Sequence, residues 1–180
     1  MAADFSGFLP VQIANYCSNE KYSMISAIAL PETEHNISSL VNICNETEIY
    51  KWLFNRAVYD EKRAVEFLKW ARLGWADGTH FVFIIIDKNQ NIAGAIDIKS
   101  DKTDAAEIGY WVSENHSGLA TNSLLKLKDV AAAAGYRRLY ARVRPLNKKS
   151  IAVLERAGFR LDQKYRLNTE HLAHSVNLIL

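Results

Sequence analysis

Residues 107–124 read Glu-Ile-Gly-Tyr-Trp-Val-Ser-Glu-Asn-His-Ser-Gly-Leu-Ala-Thr-Asn-Ser-Leu, and this stretch decides the fold. Ala105 to Val112 is a β-rich run with a glycine inside it, and Gly109 there marks a bulge or a close backbone approach. Ser113 to Ser117 is a short polar loop, and Leu119 to Ala134 has helical periodicity closed by Gly135. A strand that passes through small residues into a helix presents unpaired main-chain N–H groups at the positive end of the helix dipole. That is an anion site in the making, and the small residues Ser117, Gly118 and Ala120 let a phosphate approach. The plainer reading of the same residues is an ordinary strand–helix connection.

Outward from this stretch the elements alternate. Phe81–Ile86 and Ile92–Lys99, separated by the turn residues Asp87 to Asn91, read as a hairpin that the third strand completes into a meander. On the C-terminal side, Leu139–Val143 reads as a strand, Asn147–Ala157 as a short helix stopped by Gly158, and Phe159–Leu167 and Ser175–Leu180 as closing strands. On the N-terminal side, Met24–Leu30 reads as a strand. Ile37, Leu40, Val41 and Cys44 repeat at helical spacing, and Ala64, Leu68, Ala71 and Trp75 form a second apolar stripe that starts near Tyr59-Asp60. The expected order is β-α-α-β-β-β-α-β-α-β-β. It describes one α/β (α+β) domain over residues 23–180, with a mixed, mostly antiparallel sheet of about seven strands and about four helices. Residues 1–22 read as an irregular lead-in.

Composition narrows the class. The chain has 180 residues, 49% hydrophobic and 23% charged, with three prolines and eight glycines, which excludes collagen-like, low-complexity and wholly disordered chains. No run approaches ~18 apolar residues, and no basic leader precedes an apolar core, so neither a membrane span nor a signal peptide is expected. Cys17 and Cys44 make neither a disulfide framework nor a zinc site, and a cytoplasmic location is expected. His171 and His174 lack a third ligand, so no metal is expected.

The net charge of +2 conceals an asymmetry. Residues 1–90 carry 8 Lys/Arg and 11 Asp/Glu, whereas residues 91–180 carry 14 and 9. Six basic residues fall between Arg137 and Lys149, which points to an anionic partner in the second half. Lys148 and Lys149 occupy the first turn of the helix capped by Asn147, where the dipole disfavours cations by about 0.3–1 kcal/mol each. An anion over that helix offsets the conflict.

The run from Ala106 to Arg160 resembles the acetyl-CoA-binding core of the GNAT acyltransferase superfamily, and within it the branch of the RimJ and RimL ribosomal-protein N-terminal acetyltransferases. That family's phosphate loop reads Arg/Gln-Gly-x-Gly-x-Ala followed by Thr. Here the matching residues are Asn115, His116, Ser117, Gly118, Leu119, Ala120 and Thr121. The family's later motif, Asn-x-x-Ser followed by Leu-Glu-x-x-Gly-Phe, is complete as Asn147, Ser150, Leu154, Glu155, Gly158 and Phe159. The resemblance is specific over residues 80–167, weaker over 24–79, and does not cover 1–22. Asn115 and His116 depart from it by removing a cationic phosphate contact and placing a side chain where the family has its first glycine.

The resemblance implies a GNAT-like fold and an acetyl-CoA-dependent N-acetyltransferase that works by direct attack in a ternary complex. It implies Glu107 as the base, Ser150 as the donor to the departing thiolate, and the Val112 N–H as the oxyanion donor. Coenzyme A contacts are implied at Trp111, Val112, His116, Ser117, Gly118, Leu119, Ala120, Thr121, Asn147 and Lys149. Trp52, Phe54 and Tyr110 are candidates for the acceptor side, while Trp70 and Trp75 read as core. Proton chemistry favours an α-amine. At pH 7 an α-amine loses its proton at a cost of about 1–1.4 kcal/mol, a lysine amine at about 4.6 kcal/mol. The expected acceptor is a protein N-terminus or a small aminoacyl or aminoacyl-nucleotide compound, handled by a monomer or homodimer without membrane partners. One alternative is a catalytically weak acyl-CoA-binding or partner-binding module on the same fold, motivated by Asn115-His116. Another, weaker one is nucleic-acid binding through the basic cluster, which requires steep salt dependence.

Overall fold

The computed structural model describes residues 2–15, 17–18, 20–53 and 57–178. Their strands are β1 (Val11–Asn15), β2 (Glu20–Ser26), β3 (Phe81–Asp87), β4 (Ile92–Ile98), β5 (Ala106–Val112), β6 (Arg138–Val143), β7 (Arg160–Leu161) and β8 (Leu172–Asn177). The helices are α1 (Glu34–Cys44), α2 (Thr47–Leu53), α3 (Glu61–Asp77), α4 (Leu119–Ala133) and α5 (Lys148–Arg156). All strands join one sheet in the order β1-β2-β3-β4-β5-β6-β8-β7, in which only the β5–β6 pair is parallel. The result is a mixed, mostly antiparallel α+β domain of the expected kind.

Several elements differ from the sequence reading. Val11–Asn15 is a strand rather than part of an irregular lead-in, paired antiparallel to β2 from Val11↔Met24 to Asn15↔Glu20. The first expected strand is shifted toward the N-terminus, because Ala27–Ala29 forms a 3-10 turn instead of continuing it. A seven-residue helix, α2, was not signalled by periodicity, as too few turns exist to establish one. The expected strand after Gly158 is only Arg160–Leu161, followed by a 3-10 turn at Gln163–Tyr165. The last strand begins at Leu172, three residues before the expected start.

Alternation along the central strands explains the layering. The first six residues of β3 are buried, because each face of the sheet is covered. Phe81, Phe83 and Ile85 pack with Leu124 and Leu127 of α4 and Leu154 of α5. Val82, Ile84 and Ile86 pack on the other face with Leu40 of α1 and Leu68 of α3. Local chemistry sets the helix ends: the Asp60 side chain accepts the Arg63 N–H to start α3, and Gly78, at φ 64°, ends it. Residues before β1 also contribute to the core. The Phe5 and Phe8 rings lie against Phe83 at centroid separations of 5.7 and 5.1 Å, and both meet Trp75.

Candidate active site

The parallel pair β5–β6 is short. Its register covers Ala106↔Leu139, Glu107↔Tyr140 and Ile108↔Ala141, yet β5 continues to Val112 and β6 to Val143. Beyond Ile108 the two strands part, and a cavity of about 710 Å³ opens between them, lined on its walls by Tyr110, Val112, Val143 and Ser150. The Ser113 N–H donates to the Ala93 carbonyl at 2.9 Å, on the β4 side. Strand alternation therefore directs the Val112 N–H the other way, toward the parting.

The cavity ends at the start of α4. Gly118 caps that helix in the left-handed region, φ 84°, with no side-chain cap, so first-turn N–H groups other than that of Leu119 are left for a ligand. A side chain at Gly118 is doubly excluded, because a Cβ there meets Cys17 Sγ at 2.5 Å. The strand β1 supports the loop from behind: buried Asn15 donates to the Ser117 carbonyl at 2.9 Å and accepts the Cys17 N–H at 3.1 Å. The constraint anticipated at His116 does not arise. Gln90 is the one non-glycine residue with positive φ among the described residues, so the His116 backbone is ordinary. Its ring turns aside, with Nδ1 2.9 Å from the Tyr22 hydroxyl, which also donates to Glu20.

A cation from α5 lies beside the start of α4. Arg156 Nε reaches Thr121 Oγ1, on the first turn of α4, at 3.5 Å. Lys149 lines the cavity but is paired with Glu48 of α2 at 3.4 Å. Asn147 caps α5 by accepting the Ser150 N–H at 3.1 Å, which fixes the Ser150 side chain on the cavity wall. There the Ser150 and Tyr110 hydroxyls lie 2.7 Å apart. Burial pushes the Tyr110 phenol up to about 12, so it stays a neutral donor and acceptor across the working range.

A second cavity, of about 540 Å³, lies on the α3 side of the sheet and is lined by Phe67, Trp70, Trp111, Val82, Ala95 and Asp97, among others. The two cavities share Gly109, Tyr110, Trp111, Lys99 and Leu53, so they meet along the middle of β5. The connection from α1 to α2 is fastened just beyond the end of β5. The Glu46 carboxylate accepts from Ser113 Oγ at 2.7 Å and from the Glu114 N–H at 2.6 Å, and Glu114 accepts the Glu48 N–H at 2.9 Å.

Of the residues singled out from sequence, Trp52, Tyr110, Trp111, Val112, His116, Ser117, Gly118, Ala120, Asn147, Lys149 and Ser150 line the first cavity. Phe54 lies outside the described residues. Trp52 holds a buried Nε1–H without an acceptor among the described residues. Leu119 is wholly buried and its N–H is already taken by the His116 carbonyl at 3.2 Å. Glu107 lines neither cavity: one carboxylate oxygen is 2.8 Å from Lys99 Nζ and the other is bound by Arg142. Trp70, expected in the core, is 43% exposed at the second cavity, whereas Trp75 is packed and donates to the Val82 carbonyl at 2.7 Å. Sequence reasoning missed Asn15, Asp97 and Arg156. The only signal for Arg156 was its position six residues after Ser150 at the end of an amphipathic helix.

Among the described residues no group of three or more His, Cys, Asp or Glu side chains is placed to hold a metal ion. No helix among them is long and apolar enough to cross a membrane. The parted strands, the glycine-capped α4 and the Asn147–Ser150 turn are the marks of an acyl-CoA-dependent transferase.

The chain belongs to the GNAT acetyltransferase domain family, whose model matches residues 29–160, and it is thereby an acetyl-CoA-dependent N-acetyltransferase. No protein of curated function matches it significantly in sequence. Solved structures share its fold. One is RimL, the ribosomal L7/L12 α-N-protein acetyltransferase in complex with coenzyme A. It is 20% identical with a TM-score of 0.69 over 87% of this chain and 93% of that one. A second is the microcin C7 self-immunity acetyltransferase MccE with acetyl-CoA and AMP, 22% identical, TM-score 0.70, covering 88% and 93%. A third is spermidine N-acetyltransferase of Vibrio cholerae with CoA and spermine, 14% identical, TM-score 0.67, covering 87% and 95%.

Proposed function

We propose that this protein transfers the acetyl group of acetyl-CoA to a primary α-amine by direct attack, with both substrates bound at once. The observation that carries the reading is the meeting of two cavities at Gly109–Trp111. Acetyl-CoA enters between β5 and β6, its diphosphate at the first turn of α4 and beside Arg156. The acceptor enters from the α3 side and reaches the thioester at the shared segment. The Val112 N–H then faces the carbonyl oxygen as negative charge develops on it. The departing sulfur receives a hydrogen bond from the Ser150–Tyr110 hydroxyl pair, which suffices for a thiolate of ordinary acidity. Neither Cys17, exposed behind the loop, nor buried Cys44 is placed to carry an acyl group.

The second cavity supports the choice of amine. Its two carboxylates, Glu66 and Asp97, are matched in number by Arg63 and Lys99, and its walls are Phe67, Trp70 and Trp111. A polyamine site requires surplus carboxylate, whereas this lining suits one ammonium attached to an apolar body. RimL is an α-N-protein acetyltransferase, and MccE is a microcin C7 self-immunity acetyltransferase solved with acetyl-CoA and AMP. An N-terminal peptide or aminoacyl compound with an apolar first residue is the corresponding acceptor here. Thiol release from acetyl-CoA should be fastest with peptides or amino-acid amides that begin with Leu, Met or Phe, and slow with spermidine. No release with any amine would overturn the reading.

A further inference from the structure

The proton of the incoming ammonium needs a destination at the shared segment of β5, and Glu107 is not there. We propose that Asp97 of β4 takes this proton, and that Glu107 is a positioning residue that keeps Lys99 from neutralising Asp97. The inference rests on the reading above that the acceptor amine enters the second cavity.

Three observations carry it. Asp97 lines the acceptor cavity and Glu107 does not. Asp97 Oδ1 accepts the Gly109 N–H at 2.5 Å, which places the carboxylate against the residue where the two cavities meet. The absence of a side chain at residue 109 is what permits this: a Cβ there meets Asp97 Oδ1 at 2.7 Å and Lys99 Cε at 3.2 Å. The glycine inside β5 is thus a close approach by a carboxylate, and the bulge it also suggested lies elsewhere, between Ile85 and Ile86.

The charges around Asp97 are arranged so that it is not fully neutralised. Lys99, just beyond the end of β4, is 2.8 Å from Glu107 of β5, whose other oxygen is held by Arg142 of β6. Arg63 and Glu66 of α3 complete the charged groups lining the cavity, with the Tyr59 and Tyr110 rings beside them, and His80 before β3 acts electrostatically on Asp97 from outside that lining. Burial pushes the Asp97 carboxyl above the ordinary carboxylate range, against the pull of Lys99 and the Gly109 N–H, and Glu107 adds to the rise. A base moved closer to neutrality is better matched to an α-ammonium.

The step balances as follows. One ammonium proton passes to Asp97, and the freed lone pair forms the C–N bond to the thioester carbon. The C–S bond breaks, and the sulfur ends as a thiol with the second nitrogen proton, relayed through the Ser150–Tyr110 pair. Asp97 returns its proton to water.

The test is the pH dependence of kcat/KM for the full-length protein with acetyl-CoA and a Leu-initiated peptide, in wild type, Asp97→Asn and Glu107→Gln. Asparagine can still accept the Gly109 N–H. We expect Asp97→Asn to lose about 10²-fold at pH 6.5–7 and to recover most of it by pH 9, where the acceptor is already a free amine. Its thermal stabilisation by acetyl-CoA should match wild type. Glu107→Gln frees Lys99 to pair with Asp97, and the acidic limb of its profile should move to lower pH. A loss below twofold in Asp97→Asn, or an equal loss at every pH, overturns the inference. If Asp97→Asn fails to bind acetyl-CoA, Glu107→Gln decides alone, and an unmoved acidic limb overturns it. Wild type inactive against every amine would instead overturn the functional reading on which this rests.

Discussion

The two cavities that meet on β5 are built by different means. The side proposed for acetyl-CoA is made of backbone: parted strands, a glycine-capped helix start and one asparagine cap. The side proposed for the acceptor is made of side chains: the rings of Phe67, Trp70 and Trp111 above a chain of alternating charges from Asp97 to Arg142. Backbone constructions tolerate few changes because they depend on φ and on close approach. Side-chain constructions can be altered residue by residue, and so adapt to different amines.

That contrast can be broken by substitution. The largest effect is expected from Gly118→Ala. It forces a non-glycine residue into φ 84° and a Cβ onto Cys17, at a cost of about 1–3 kcal/mol. Acetyl-CoA affinity, read by thermal shift or calorimetry, should fall at least tenfold. Next comes Trp70→Ala, which removes a cavity wall. It should raise KM for apolar acceptors by roughly tenfold while leaving acetyl-CoA affinity unchanged. If both parameters move together, the two cavities are not separable.

A third test uses stability. The Asp97 carboxyl is held above its unfolded-state value, so the stability it adds is complete at acidic pH and is lost as pH rises through the folded value. At neutral pH the buried carboxyl is therefore a burden relative to its state at acidic pH. Asp97→Asn should melt higher than wild type at pH 7.5, and the gain should vanish below pH 4. A lower Tm at pH 7.5 contradicts this account of the site. The smallest effect belongs to Lys149→Ala. Lys149 is 76% exposed and its pair with Glu48 is worth about 0–1 kcal/mol at most. Acetyl-CoA affinity should change less than fivefold and depend on salt.

The backbone half was largely legible in sequence because its signals are local. Gly118 before Leu119, and Asn147 three residues before Ser150, announce their structures within one turn. The support behind them was not legible. Asn15 meets Ser117 across 102 positions, and no periodicity in a five-residue strand reports such a contact. Glu107 illustrates the limit most sharply. Its place on β5 and the glycine two residues on were both read correctly. Its partners come from the residue after β4 and from β6, and they engage both of its oxygens. The carboxylate that does face the acceptor cavity, Asp97, lies in an apolar strand (Ile-Ala-Gly-Ala-Ile-Asp-Ile), where a single acid reads as an outward-facing residue. Trp70 failed similarly, since an apolar stripe does not say where α3 overhangs a cavity instead of the core.

The central claim is that acetyl-CoA and an amine occupy adjoining cavities at the same time and react without an acyl-enzyme. Initial-rate kinetics with both substrates varied, using a Leu-initiated peptide as acceptor, tests it most directly. The account predicts intersecting double-reciprocal lines and a rate retained in the Cys17→Ala variant. Parallel lines, the pattern of an acetylated enzyme intermediate, would contradict it.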